Sequence, residues 1–213
     1  MVGAEFVTLL QSLVPEGIAS EPFALYRDAL LRFNRGRNLV SRAGGRALVE
    51  RLILESVAAG RALCFEPGQK LLDLGSGAGI PGIPLALSHP ELEWVLLERR
   101  AVACDFLRRE IASLGLPKAR VEEGQAREAL ARSPQLRGAF HWGFLRAVAA
   151  PPLALKLLRP FLGADGRAVL FLNEDYRPAA QLQASGWHWE GAAPLPLASR
   201  GPRPCLQLFR PAR

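Results

Sequence analysis

The residues with the most chemical content lie between Leu71 and Gly82, where an apolar run ends in Asp73 and gives way to Gly75, Ser76, Gly77, Ala78 and Gly79. Glycines alternating in this way allow a tight turn with unusual dihedrals and let a ligand approach the main chain without Cβ interference. Pro84 to Leu87 begins or continues a helix, whose N-terminus adds a partial positive charge. Such a loop alone fits any nucleotide, but an acid two residues before the first glycine, Asp73-x-Gly75-x-Gly77-x-Gly79, is more specific. A second acid, Glu98, ends the next apolar segment 19 residues after Gly79. At the carboxyl edge of a neighbouring strand it can accept hydrogen bonds from both ribose hydroxyls; the alternative is a surface pair with Arg99 or Arg100. A third loop, Gly124-Gln125-Ala126-Arg127-Glu128, can offer backbone and amide groups to an adenine edge. NAD would set a pyrophosphate over the helix N-terminus, whereas S-adenosylmethionine has no phosphate and carries an amino group whose charge Asp73 would complement. The extra acid favours S-adenosylmethionine, held by Asp73, Gly75, Ser76, Gly77, Ala78, Gly79, Glu98, Gln125 and Ala126.

Other chemistries find little support. His89, His141 and His188 are scattered and read as structural, and no metal-ligand spacing or nucleophile triad is visible. Cys64, Cys104 and Cys205 are odd in number and set in apolar segments, so they are expected to be reduced core residues without a disulfide framework.

These loops need a scaffold. With 213 residues, 49% of them hydrophobic, and a mean hydropathy of +0.09, the chain is expected to form one globular fold with at most a small appendage. No apolar run reaches the ~18 residues that cross a bilayer, and Met1-Val2-Gly3-Ala4-Glu5 lacks a basic secretory start, so a cytoplasmic location is expected. Residues 1–65 show helical spacing, as in Phe23, Tyr26, Leu30 and Phe33, and predict two or three helices that form a substrate-facing segment. From residue 66 to 213 short apolar strands alternate with helices, the pattern of an α/β fold with a parallel sheet covered on both faces. Strands are predicted at 70–74, 93–98, 119–122, 142–147 and 167–172, with a closing antiparallel pair near 187–190 and 205–210. Helices are predicted at 101–114 and 152–162, ended by Gly115 and Gly163.

Charge points to the partner. The formal charge is +7, with 24 arginines against three lysines, which favours an acidic partner and nucleic acid first. Between Arg27 and Arg51 seven arginines face only Asp28 and Glu50, a surplus of +5. That surplus describes either a solvated helix face or a phosphate-contacting surface including Arg35, Arg37, Arg42 and Arg51.

The run Gly75-Ser76-Gly77-Ala78-Gly79-Ile80-Pro81-Gly82-Ile83-Pro84-Leu85 resembles the glycine loop of the RsmG (GidB) family of 16S ribosomal RNA methyltransferases. The resemblance extends from about Tyr26 to Arg210 and takes in Asn38-Leu39, Arg51, Glu98, Gly124-Gln125-Ala126 and Arg146-Ala147. It implies a Rossmann-like class I methyltransferase fold, a seven-stranded mostly parallel sheet with an N-terminal helical extension. It also implies a monomer that methylates guanine N7 of small-subunit rRNA with S-adenosylmethionine, and Arg146 as the catalytic residue orienting the base or its phosphate. A salt bridge at a strand end is the alternative for Arg146, and Phe144 and Trp142 are either core or stacking residues.

The chain departs from that family on segments expected to face substrate. The family's R-H-x-x-D-S is Arg51-Leu52-Ile53-Leu54-Glu55-Ser56, its Asn-Leu-Thr is Asn38-Leu39-Val40, and its Lys-Gly after the fifth strand is Asn173-Glu174. These changes keep open a non-catalytic RNA- or ribosome-binding relic and a methyltransferase for a small molecule or protein.

Overall fold

The structure, a computed structural model, describes residues 2–178, 185–197 and 203–212, with only the backbone described at residues 2–4 and 42. Three helices open the chain: α1 (Val2–Leu13), α2 (Glu21–Asn34) and α3 (Gly45–Ala62). Pro22 in the first turn of α2 gives up no hydrogen bond there, because the first N–H groups of a helix have no partner within it. The alternating part follows as β1 (Lys70–Leu74), α4 (Gly82–Ser88), β2 (Glu93–Glu98), α5 (Ala101–Ser113), β3 (Ala119–Glu123), α6 (Ala126–Arg132), β4 (Phe140–Leu145), α7 (Pro151–Leu158) and β5 (Leu162–Asn173). Strands β6 (Trp187–Pro194) and β7 (Pro204–Pro211) complete it.

The sheet has seven strands in the order β3-β2-β1-β4-β5-β7-β6. Strands β1 to β5 run parallel, and β7 pairs antiparallel with both β5 and β6, as the sequence predicts. Neighbouring residues of the central strands serve opposite faces. Leu71 and Leu96 belong to a core shared with α1 to α5, while Leu72 and Leu97 pack with Leu130 of α6 and Leu155 of α7. Burial on both sides is why these strands read as continuous apolar runs. Strand order reverses between β1 and β4, so the chains leaving these two strands diverge and open a crevice at the carboxyl edge.

Among the described residues the helical part has no separate core. Phe6, Phe23, Tyr26, Ile53 and Val57 are buried in one cluster with Leu71, Trp94 and Phe144 of the sheet.

Several expectations change. Strand β4 ends at Leu145, so Arg146 and Ala147 lie beyond it, and Ala147 turns to φ +54°. The helix expected to reach residue 162 stops at Leu158 because Pro160 has no N–H to donate; a 3-10 turn over Arg159–Phe161 follows. Gly163 therefore lies inside β5, whose first residue pairs with Phe140 across a register shift. Cys104 and Cys205 are buried as expected, whereas Cys64 is exposed, just past the C-terminus of α3 where the chain leaves the core.

Candidate functional site

The glycine loop after β1 is fixed largely by its own backbone. The N–H groups of Gly75 and Ser76 donate to the Leu97 carbonyl at 2.8 and 3.1 Å, and Gly79 N–H closes the turn on the Ser76 carbonyl at 2.7 Å. Gly75 and Gly77 take φ of +75° and +56°, where a side chain would strain the backbone. A Cβ on Gly77 would meet nothing closer than 3.7 Å, so this position opens onto free space. From α2, the buried Tyr26 hydroxyl donates to the Ala78 carbonyl at 2.7 Å and anchors the loop from behind.

Asp73 holds the start of α4. Its carboxylate is almost fully buried and accepts the Gly82 N–H at 3.1 Å, and burial pushes its pKa up to about 7. The remaining donors of the first turn are also accounted for: Ile83 N–H reaches the Gly79 carbonyl, Leu85 N–H reaches the Pro81 carbonyl, and Pro84 has none. This helix end thus has no N–H left for a pyrophosphate. The residues present fit a cofactor without phosphates, not a dinucleotide.

At the end of β2, Glu98 is buried and reaches back to the loop. One carboxylate oxygen accepts Gly77 N–H at 2.9 Å; the other accepts Arg100 N–H at 2.9 Å and Arg100 Nε at 3.3 Å. It stands beside the loop and pairs with Arg100, but as a buried carboxylate rather than a surface pair. After β3, Gln125 stands at the start of α6, where its N–H donates to Glu128 at 3.0 Å.

These groups surround a cavity of about 740 Å³. One side is lined by Gly75, Ser76, Gly77, Ala78, Glu98, Arg100, Gln125 and Ala126. The facing side is lined by Val40, Leu48, Leu52, Arg146, Ala147 and Leu153. Two of the expected cofactor ligands are displaced from it. Asp73 sits behind the loop, and Gly79 faces inward, where a Cβ would collide with Ile83 and Leu107 at 2.7 and 2.8 Å. Both support the loop without lining the cavity. Asn173, expected on a substrate-facing segment, also lies outside the lining at the end of β5, whereas Val40 and Leu52 are in it.

Arg146 is the cation of the facing side. Its Nη1 donates to Glu55 on α3 at 2.6 Å, and its guanidinium lies 3.9 Å from the centre of the Phe171 ring. Nε and Nη2 are buried without a hydrogen-bond partner, and burial lowers the pKa of the group against the opposing pull of Glu55. Glu55 and Phe171 carried no signal in the sequence as partners of Arg146, because 91 residues separate Glu55 from it. Arg100 was likewise legible only as a possible ion-pair partner of Glu98.

The arginine-rich stretch divides. Arg27 is buried against Asp28 and Glu50, Arg46 pairs with the same two acids, and Arg51 pairs with Glu55 while remaining mostly exposed. Arg35 and Arg37 are exposed in the turn that leads to the cavity wall, and the Arg42 side chain lies outside the described residues. That turn is shaped by Asn34, whose side-chain oxygen accepts Leu39 N–H at 2.7 Å and Val40 N–H at 3.0 Å. The three histidines and the buried Trp142 and Phe144 do not line the cavity; both aromatic residues are core.

Comparison with known proteins gives the same picture. The family profile described as GidB, rRNA small subunit methyltransferase G, matches residues 19–192. The ribosomal RNA small subunit methyltransferase G of Desulfitobacterium hafniense is 36% identical over 146 residues, which cover 68% of this chain and 59% of that protein. Its namesake from Mycobacterium marinum is 35% identical over 153 residues, covering 70% and 63%. These alignments span about three fifths of the relatives' length. Among solved structures, the mitomycin 7-O-methyltransferase MmcR matches with a TM-score of 0.59 at 20% identity, covering 78% of this chain and 56% of that one. The structure of M. jannaschii TYW2 in complex with AdoMet matches with a TM-score of 0.54 at 15% identity, covering 74% of this chain and 76% of that one. At such identities the structures show the fold alone, the Rossmann-like fold of class I methyltransferases.

Proposed function

We propose that this chain, which belongs to the GidB family of rRNA small subunit methyltransferases, transfers a methyl group from S-adenosylmethionine to small-subunit (16S) rRNA at guanine N7. The observation that carries the reading is that one cavity is lined on one side by the glycine loop, Glu98 and Gln125 and on the other by Arg146 and the residues of α3. Cofactor and substrate groups would meet there without leaving the protein.

S-adenosylmethionine supplies an electrophilic methyl group on a sulfonium. The loop backbone at Gly75 and Gly77 would receive its methionine part, the Glu98 carboxylate its ribose, and Gln125 and Ala126 its adenine. Guanine N7 offers a lone pair without losing a proton, so no general base is needed, and a wall free of histidine is consistent with that chemistry. What remains is alignment, with N7 held ~3–3.5 Å from the methyl carbon and in line with the sulfur. Arg146 would orient the base or its phosphate. Val40, Leu48, Leu52 and Leu153 form apolar walls of the same cavity. Arg35, Arg37, Arg42 and Arg51 would contact phosphates outside.

Of the departures from the family pattern, Glu55 keeps a carboxylate, Val40 and Leu52 shape the wall, and Asn173, where the family has a lysine, lies outside the cavity lining. Purified small subunits or naked rRNA lacking the modification, incubated with the chain and labelled cofactor, should gain one methyl group at guanine N7 by nucleoside mass spectrometry. Tight cofactor binding with no methylation of any rRNA, protein or small-molecule pool would favour the binding relic instead.

A further inference from the structure

We propose that Glu55 is a positioning residue that holds Arg146 in the cavity and cancels its charge against a cationic ligand. The proposal rests on the cofactor reading above and adds a role for the helix α3. Among the described residues Arg146 has one hydrogen bond, to Glu55 Oε2 at 2.6 Å, while Nε and Nη2 are buried and find no partner there. Beyond that bond it rests only on the face of the Phe171 ring. Glu55 is therefore its single polar anchor among the described residues.

The anchor is itself well held. The Glu55 side chain is 4% exposed, and its second oxygen accepts Arg51 Nε at 2.9 Å. Arg51 is mostly solvated, so its charge is screened, whereas Glu55 and Arg146 face one another out of water. Removing either partner of such a pair leaves an uncompensated charge. The remaining charged groups near Arg146 are Asp73 behind the loop and Arg51 at the surface.

Charge matters because S-adenosylmethionine carries a sulfonium and methylation at N7 leaves a cationic base. An unpaired guanidinium lining the same cavity would repel both. The neutral pair can instead offer N–H donors without net positive charge. A purely structural cross-link between α3 and the end of β4 would not distinguish a charged ligand from a neutral one.

S-adenosylmethionine and S-adenosylhomocysteine differ by one methyl group and one positive charge, so calorimetry of the full chain with both gives a ratio that isolates this effect. In Glu55→Gln, S-adenosylmethionine should weaken about tenfold relative to S-adenosylhomocysteine, as expected for one unpaired unit charge across a cavity of this size. Arg146→Gln should move the ratio the opposite way, and the double variant should return it to the starting value. Glu55→Asp keeps the charge but shortens the reach, so the ratio should stay within about twofold while kcat falls. If Glu55→Gln does not fold, Arg146→Gln and the double variant decide. Parallel weakening of both ligands in the variants, or a double variant whose ratio stays shifted, overturns the proposal. Failure of both ligands to bind the unaltered chain overturns the cofactor reading itself, before any variant is made.

Discussion

On the glycine-loop side of the cavity stands a loop whose main chain is set by Gly75 and Gly77 at positive φ and pinned to Leu97 and Glu98. On the facing side are side chains from segments far apart in the sequence: Val40, Leu52, Arg146 and Leu153. A backbone cradle tolerates almost any neighbouring side chain but no atom placed inside it. A side-chain wall can change one residue at a time while the fold stands. The departures from the family pattern at Val40 and Leu52 fall on the second side, and the loop is intact.

The sharpest way to break this contrast is to fill the cradle. Gly77→Val should abolish detectable binding of S-adenosylmethionine, because the new atoms project into the free space of the cavity. Its effect on stability should be about 1–2 kcal/mol, from forcing a left-handed conformation on a branched residue. Gly79→Val should do the reverse and lower the melting temperature, since a branched residue is strained at φ +90° and its Cβ would meet the buried Ile83 and Leu107 below 3.0 Å. Thermal melts alongside calorimetry separate the two. Wild-type-like affinity in Gly77→Val would remove the loop from the site.

On the other side, Arg146→Ala should lower turnover on rRNA by about 100-fold or more, a transition-state loss of roughly 3 kcal/mol. Cofactor affinity should change by tenfold or less. A parallel fall in both quantities would mean that the two sides are not separable as drawn. Between them stands Glu98, a side chain that completes the backbone cradle. Glu98→Ala should cost on the order of 1.5–3 kcal/mol of cofactor affinity, as charge-assisted hydrogen bonds do. It also releases Gly77 and Arg100, so unchanged binding would leave it a structural clamp only.

The two sides also differ in how much the sequence alone disclosed. A cradle built from consecutive residues has a local signature, and Asp73 to Gly79 and the strand-ending Glu98 were legible from spacing. The strands themselves and their parallel sense followed from alternating apolar runs and helices, whereas their order in the sheet came only with the structure. What spacing could not disclose was direction: Asp73 was expected to face the ligand, yet its carboxylate caps α4, because a buried helix end needs its N–H groups satisfied. Arg27 counted toward a basic surface but is buried against Glu50. The Glu55 to Arg146 contact depends on α3 crossing the end of β4, which no local pattern encodes.

A smaller effect is expected outside the cavity. Changing Arg35 and Arg37 to Glu should weaken rRNA binding and flatten its dependence on salt, with a slope of roughly 0.7 lost for each single-strand phosphate contact removed. Cofactor affinity should stay constant, because neither residue lines the cavity. A salt slope that is unchanged would assign the exposed turn after α2 to plain solvation.

The subtlest test uses Asp73, which belongs to the loop side in sequence but feels the charge of Arg146 on the other. Burial raises its carboxyl pKa to about 7, opposed by the Gly82 N–H, Ser76 and Arg146 and reinforced by Glu98. In the unfolded chain the same group releases its proton near pH ~4. Between these values the unfolded state binds fewer protons than the folded one, so this residue lowers stability as pH rises from about 4 to about 7, and its effect levels off above that. Asp73→Asn keeps an oxygen acceptor for Gly82 and removes the titration. The melting temperature of the variant minus that of the parent should therefore increase across this window, by on the order of 10 °C, since about three pH units at ~1.4 kcal/mol each are converted at ~2–4 °C per kcal/mol for a chain of this size. In an Arg146→Gln background the upper edge of the window should move to higher pH, because a favourable charge has been withdrawn from the ionised carboxylate. A difference that stays flat with pH in both backgrounds would show that hydrogen bonding from Gly82 and Ser76 outweighs burial, and that the two sides of the cavity are electrostatically independent at this point.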